Sequence, residues 1–337
     1  MKELFGTLPG GQQVYLYTIS CGGLTAAVSD FGATLVRLLV PDGAGHVDDV
    51  VLGFDDPVAY AASSSFLGAT VGRNANRIGG ASFSLKGTEV KLTPNENGNN
   101  LHSGPDSYNA RIWTVEEHTA EQIRLRLDSP DGDQGFPGNA VVRVTYALDH
   151  TGSLTITYDA VSDRDTVFNL TNHSYFNLAG HKKTDKAMEQ FLTIPGRFFN
   201  PDDAESIPTG QLRSVAGSPM DFRSPKAIGR DINEDYDALN LQGGYDHNYE
   251  VFCNPAAILY SPESGREMAV YTDCPGVQFY AGNYLNDQGK DGVYYHKRSG
   301  ICLETQFYPD ALHHPEWPQP ITPAGEKYIS ETSYRFC

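Results

Sequence analysis

The feature that most constrains the fold of this chain is a strict alternation of apolar and polar residues. In the segment QIRLRL (122–127), Ile123, Leu125 and Leu127 alternate with glutamine and arginine. The same period recurs in VVRVTYAL (141–148), SLTITYDA (153–160) and, with a mixed polar and aromatic face, YISETSYRF (328–336). Because successive side chains of a strand face opposite ways, each segment predicts a strand with one buried face.

Turn-forming sequences separate these strands, and long helical periods are lacking. The turns are rich in Pro, Asp and Gly, as in PDGAG (41–45), SPDGDQGFPGN (129–139), DHTGS (149–153) and SPESG (261–265). A short helix is expected only within 56–72, so alternating βαβ units are disfavoured. We predict an all-β chain, a large antiparallel β-sandwich with few short helices. With no linker or repeat visible, residues 1–337 are expected to form a single domain.

The charge of the chain narrows the classes of ligand. It carries 25 Lys and Arg against 42 Asp and Glu, a net charge of −17. Such a chain repels nucleic acid and anionic membrane surfaces, so a neutral polar ligand is the better expectation. Five widely spaced cysteines predict neither a disulfide framework nor a zinc site. The first ten residues, MKELFGTLPG, lack the pattern of a signal peptide, and a cytoplasmic protein is expected.

Metal binding is a weak interpretation of the segment LETQFYPDALHHPEWP (303–318). His313, His314 and Glu316 are close in sequence, but the prolines prevent a helix and no further ligands are spaced to complete a site. No metal and no cofactor are therefore expected. Five other histidines lie in turn-like or charged surroundings and are expected at the surface: His46, His118, His150, His181 and His296.

Several loops combine amide, charged and aromatic residues, which is what a sugar site requires. Hydroxyl groups need forked hydrogen-bonding partners, and the C–H faces of a pyranose stack on aromatic rings. His102 and His173 lie in two of these loops, although each could equally be a hydrogen-bonded structural histidine. By composition alone, all six loops could also be ordinary β-sheet connections: GRNANRI, NNLHSGP, TNHSYFNL, GGYDHNYEV, PGVQFYAGNYL and ICLETQFYPDALHHPEWP.

Together these segments resemble the motifs of the aldose 1-epimerase (galactose mutarotase) family. TNHSYFNLAG, YDHNY, PGVQFYAGN and LETQFYPDA occur in the order expected for that family and span nearly the whole chain. The resemblance implies the large antiparallel supersandwich of these enzymes. It also implies interconversion of the α and β anomers of free aldohexoses such as galactose and glucose.

The resemblance assigns roles to eight residues. Glu304 would be the catalytic base, His173 the catalytic acid, and His102 would assist near the ring oxygen. The remaining five would bind or surround the sugar: Asn76, Arg77, Tyr175, Asp246 and Gln278. The implied partner is a small free aldose, with no metal or cofactor, and the enzyme would be a monomer or a homodimer.

The chemistry implied by the resemblance needs an acid and a base on either side of a hemiacetal. The C1 hydroxyl loses a proton while the ring oxygen gains one, and each positioned group contributes about 10²–10⁴-fold. Alternation in ICLETQ places Glu304 on the face opposite Ile301 and Leu303, where it could line a cleft. The Pro-rich remainder, with His313, His314, Glu316 and Trp317, is expected to form a rim at the pocket mouth.

Three alternatives remain open. A phosphosugar mutarotase would need an additional basic cluster, and none is visible beyond Arg73 and Arg77. A glycosidase would use two carboxylates, for which Glu304 and Asp246 are the candidates. A noncatalytic carbohydrate-binding protein would bind sugar without accelerating anomer exchange. The sequence also departs from the family at Ser103, where Gly is common, and at His313, where Asn is frequent.

Overall fold

The computed structural model describes residues 1–337 and is built mainly from antiparallel strands. Its largest sheet has nine strands, including all four segments with strict alternation. In spatial order these strands are Thr114–His118, Gln122–Ser129, Ala140–Leu148, Ser153–Ser162, Lys327–Phe336, Glu267–Thr272, Ala257–Tyr260, Phe191–Thr193 and Lys226–Ala227. The predicted apolar faces are buried, as Ile123, Leu125 and Leu127 illustrate. The chain is all-β, as predicted.

A second sheet has six strands and carries much of the candidate site. In spatial order they are Tyr175–Phe176, Ile301–Gln306, Gly276–Tyr280, Asp246–Glu250, Phe198–Phe199 and Arg213–Ser214. Every residue of the strand Ile301–Gln306 is buried, so protein covers both faces of this strand. Ile301 and Leu303 pack into the main core, whereas Cys302 packs with Tyr175 and Tyr280 on the other face.

The remaining strands form one five-stranded sheet and five strand pairs. The five-stranded sheet follows chain order: Lys2–Thr7, Gln13–Cys21, Leu24–Ser29, Thr34–Pro41 and Val47–Asp49. The pairs are Arg77–Ile78 with Asn100–Leu101, Thr70–Val71 with Thr171–Asn172, Ser82–Leu85 with Thr88–Lys91, Thr166–Val167 with Ile321–Thr322, and Asp287–Gln288 with Tyr294–Tyr295. The first pair contains Arg77 and the second leads directly to His173, two of the site residues predicted from the sequence.

One hydrophobic cluster of 54 buried residues unites the three large sheets. Ile19 comes from the five-stranded sheet, Leu125 and Tyr334 from the nine-stranded sheet, and Leu303 from the six-stranded sheet. Such face-to-face packing of antiparallel sheets is the architecture that the alternating pattern predicts. The shared core supports the prediction of a single domain, which stays a prediction.

The two α-helices are short, Pro57–Ala62 and Asp237–Gln242. Asp56 caps the first through Oδ1, which accepts hydrogen bonds from the backbone N–H groups of Val58 and Ala59. Pro57 follows at the first helical position, where its missing N–H costs nothing. Neither helix has the length and apolar content needed to cross a membrane.

Candidate active site

A polar cavity of about 200 Å³ opens beside the six-stranded sheet. This volume is below the roughly 300–1,000 Å³ typical of pockets for drug-sized ligands. Seven of the eight predicted site residues line it; only Gln278 does not. The full lining is Ser64, Ser65, Phe66, Asn76, Arg77, Glu96, Leu101, His102, His173, Tyr175, Asp246, Tyr280, Tyr284 and Glu304. Residues separated by over 200 positions are thus brought to one small polar chamber.

Glu304 projects from a central strand of the six-stranded sheet into this cavity. Its side chain is 3% exposed, and its Oε2 atom has no hydrogen-bond partner within the protein. Burial raises the pKa of Glu304 well above its usual range, and the negative charge of Asp246 raises it further, against the opposing effect of Arg77. A carboxyl group in this environment holds a proton more tightly than a solvated glutamate does.

His173 lies next to Glu304 in the cavity wall, with its Nε2 atom 3.7 Å from Oε1 of the glutamate. Its ring lies roughly parallel to Phe66 and Tyr175, at centroid distances of 5.9 and 5.1 Å. Nδ1 is 3.5 Å from the Sγ atom of Cys302. Burial lowers the pKa of His173 to about 4. The flanking rings fix the plane of the imidazole and direct Nε2 toward the carboxyl group.

His102 is the third titratable group at this end of the cavity. Its Nδ1 atom accepts a hydrogen bond of 3.1 Å from the backbone N–H of Asn76, and its own backbone N–H donates to the carbonyl of Asn76. Burial lowers the pKa of His102 well below its usual value, and the positive charges of His173 and Arg77 lower it further. In the neutral ring, an acceptor at Nδ1 requires the proton at Nε2, so His102 can only donate from Nε2.

The same three side chains, His102, His173 and Glu304, form a cluster in which one ligand atom from each lies within 4.8 Å of the others. Such proximity would suit a metal ion. However, the proton that His102 carries on Nε2 occupies the lone pair a metal would need there. The donor chemistry of this cluster therefore favours proton transfer and hydrogen bonding to a ligand.

The opposite end of the cavity is organised around Arg77. Its guanidinium donates to Glu96 from Nε at 2.5 Å and from an Nη atom at 3.1 Å. Burial works against the charged form of Arg77, but the hydrogen bond to Glu96 and the negative charges of Asp246, Glu96 and Asp202 together outweigh it and raise the pKa. Burial also raises the pKa of Asp246, whose Oδ1 atom accepts a 2.8 Å hydrogen bond from the amide of Gln278. Gln278 therefore lies behind Asp246 and orients it rather than lining the cavity.

Several residues that line the cavity were not among the site residues predicted from the sequence. Tyr280 lies within the quoted segment PGVQFYAGN, two residues beyond Gln278, and alternation along that strand could have found it. Phe66 follows the helix Pro57–Ala62 and has a left-handed backbone conformation, with φ of 54°. Glu96 has no motif that distinguishes it from other loop carboxylates. The signal for Glu96 is its contact with Arg77, which only the structure provides.

The prediction that the Pro-rich segment forms the pocket rim is wrong. None of His313, His314, Glu316 and Trp317 lines the cavity. Trp317 is buried against Tyr308 and His314. Asp310, earlier in the same segment, accepts a hydrogen bond from the backbone N–H of Gly79, and its own backbone N–H donates to the carbonyl of Arg77. The segment thus supports the Arg77 strand from behind.

His181 and Arg73 both lie in the interior of the protein. His181 was expected at the surface but is buried, with Nδ1 2.9 Å from the hydroxyl of Tyr295, because the strand Tyr294–Tyr295 covers it. Arg73 is also buried, and it donates to the carbonyls of Pro137 and Gly138. Arg73 therefore satisfies loop carbonyls in the interior and does not add a second basic group to the cavity.

Comparison with known proteins gives one consistent family. The model of the aldose 1-epimerase family matches residues 15–335. A galactose mutarotase from Bos taurus is 39% identical, with 99% of this chain and 98% of that protein aligned. An aldose 1-epimerase from Escherichia coli K12 is 37% identical, with 100% and 99% aligned.

Solved structures give the same result for the fold. An aldose epimerase homologue from C. elegans superposes with a TM-score of 0.89 at 32% identity, covering 96% of this chain and 98% of that one. A galactose 1-epimerase from Lactobacillus acidophilus superposes with a TM-score of 0.87 at 28% identity, covering 100% and 98%. The similarity extends over the entire architecture described above.

Proposed function

This chain belongs to the aldose 1-epimerase family and is an enzyme of that class, and we propose that it interconverts the anomers of free aldohexoses such as galactose and glucose with Glu304 as base and His173 as acid. One observation carries the assignment of roles. A buried carboxyl group and a buried imidazole face each other 3.7 Å apart in the wall of a polar cavity. Acid–base opening of a hemiacetal requires two such groups close to C1 and to the ring oxygen.

In the reaction, Glu304 removes the proton of the C1 hydroxyl while His173 protonates the ring oxygen. The C1–O5 bond breaks, its electron pair remains on O5, and C1 becomes an aldehyde carbon. Rotation about C1–C2 presents the other carbonyl face. Ring closure then runs both proton transfers in reverse, so Glu304 and His173 return to their starting states. No external oxidant, nucleophile or cofactor enters this balance.

The pKa shifts of Glu304 and His173 are compatible with this cycle. Burial favours a neutral carboxylic acid and a neutral imidazole, which together hold one proton. Transferring that proton from Glu304 to His173 produces the carboxylate and imidazolium that ring opening needs. Because the two groups are coupled, the proton belongs to the pair, and the mutual attraction of the resulting charges supports the reactive arrangement.

The other cavity residues are assigned to holding the sugar. Asp246 accepts hydrogen bonds, Arg77 and His102 donate them, and Asn76 lines the wall beside them. Tyr175 also lines the cavity and packs against the His173 ring, so it both borders the sugar and positions the acid. Hydroxyls that do not react can be held in place while C1 rotates, which lowers the entropic cost of the reaction.

Polarimetry tests this proposal directly. Freshly dissolved α-D-galactose and α-D-glucose should each reach anomeric equilibrium faster with the protein than without it. Equal relaxation with and without protein, together with heat released on sugar binding, would instead identify a noncatalytic carbohydrate-binding protein. Release of nitrophenol from a nitrophenyl galactoside would favour the glycosidase alternative.

A further inference from the structure

The charge balance of the cavity has a consequence for substrate selection. Arg77 is the only Lys or Arg among the lining residues, whereas Glu96, Asp246 and Glu304 are all carboxylic acids. A fourth carboxyl group, Asp202, is half-buried close enough to act on the charge of Arg77, and burial and the charge of Asp246 both raise its pKa. Any anion entering the cavity would depend on Arg77 for its attraction.

Arg77 is already occupied by Glu96. The two side chains meet through two hydrogen bonds, from Nε at 2.5 Å and Nη2 at 3.1 Å, and are 14% and 31% exposed. Paired hydrogen bonds of this kind fix the orientation of the guanidinium, and the carboxylate neutralises its charge. Nη1 donates to no protein atom, so that edge is left to serve a neutral hydroxyl.

We infer that Glu96 determines the charge specificity of this site by holding Arg77 in a neutral pair, so that neutral aldoses are accepted and anionic aldoses, such as hexuronates and hexose phosphates, are rejected. The inference rests on the proposed function for the identity of the ligand. It assigns Glu96 a positioning and specificity role with no part in proton transfer. Because Glu96 neutralises Arg77, the cavity would not bind a phosphosugar even though it contains an arginine.

Replacement of Glu96 by glutamine tests this inference, because Glu96→Gln removes the charge and nearly preserves the shape. The two probes are α-D-galactose and D-galacturonate, which share the pyranose ring and differ in the charge at C6. At low ionic strength and pH 7.5, wild type should greatly prefer galactose in kcat/KM. In Glu96→Gln this preference should fall by about tenfold, the order of magnitude expected for loss of one negative charge near the sugar carboxylate at an effective dielectric constant of about 20.

The matched control is Glu89→Gln, which makes the same change in net charge at an exposed position on the neighbouring hairpin outside the cavity. This variant should retain the wild-type preference. For Glu96→Gln with galactose, the effect should appear mainly in KM, because Arg77 binds and does not transfer protons. Salt should reduce the wild-type preference more steeply than that of Glu96→Gln.

A preference in Glu96→Gln within twofold of wild type, or an equal change in Glu89→Gln, would overturn the inference. Calorimetric affinities for the two sugars provide the same ratio without turnover. Consequently, a wild-type protein that binds galactose but fails to accelerate mutarotation would contradict only the proposed function. The calorimetric ratio would still decide the role of Glu96.

Discussion

Replacing Glu304 by glutamine is the most direct perturbation of the proposed mechanism. Glutamine keeps the size and one acceptor oxygen but cannot take the C1 proton. Removal of a positioned base is expected to cost about 10²–10⁴-fold in kcat. We expect a loss in the upper part of this range, because Glu304 is buried where bulk water has little access to replace it as the base.

The same substitution should leave the fold intact, which separates it from a general loss of structure. Burial raises the pKa of Glu304, so its ionised form destabilises the folded state relative to a solvated glutamate. The sign follows from linkage: stability falls as pH rises from the unfolded pKa of about 4.3 toward the raised folded value. Glu304→Gln should remove this component, so its melting temperature at pH 8 should equal or exceed that of wild type.

The assay is polarimetry of fresh α-D-galactose, with the spontaneous rate subtracted and with enough variant protein to measure a 10⁴-fold lower kcat. Glu326→Gln, an exposed turn residue, is the matched control and should retain wild-type activity. If Glu304→Gln is folded and keeps more than one fifth of wild-type kcat, Glu304 is not the base.

Three further outcomes are expected. The pH profile of kcat/KM should be bell-shaped, because the Glu304–His173 pair must hold one proton. Activity should fall below about pH 4, where His173 is protonated and the pair holds two protons. It should fall again in base, where the pair loses its last proton. His247, whose pKa burial lowers to about 3, should make the fold less stable as pH falls from 6.5, so His247→Gln should reduce the loss measured by urea unfolding between pH 6.5 and 4 by about 3 kcal/mol. Lys290→Met should cost about 3–5 kcal/mol in the same assay, because it leaves two carbonyls and the carboxylate of Asp49, whose side chain is 10% exposed, without their donor, whereas Lys183→Met at an exposed ion pair should cost under about 1 kcal/mol.

The nine-stranded sheet was predictable because its long strands are amphipathic. One face packs on the core and the other contacts water, so the buried positions repeat with period two along Ala140–Leu148 and Ser153–Ser162. The partner of each strand was not predictable in the same way. Tyr158 pairs with Ser330 from the far end of the chain, and such long-range register has no local signal.

The strand that carries Glu304 shows where sequence patterns lose information. Protein covers both faces of Ile301–Gln306, so burial does not alternate along it. Alternation of side-chain direction correctly separated Glu304 from Ile301 and Leu303, but it could not say what Glu304 faces. The contact with His173 depends on how two distant strands are placed, and the contact between Glu96 and Arg77 depends on a loop.

The backbone around His102 connects local strain to the chemistry of the cavity. His102 and Ser103 both have left-handed conformations, with φ of 50° and 71°, which residues other than glycine rarely adopt. Glycine at the second position would relieve that strain. Here the Ser103 hydroxyl compensates, since it accepts from the backbone N–H of Asn74 at 2.7 Å and donates to its carbonyl at 3.1 Å. The loop geometry thus persists without glycine and keeps Nδ1 of His102 against the N–H of Asn76. Since that contact places the ring proton on Nε2, we expect His102 to donate to a sugar oxygen and never to act as the base.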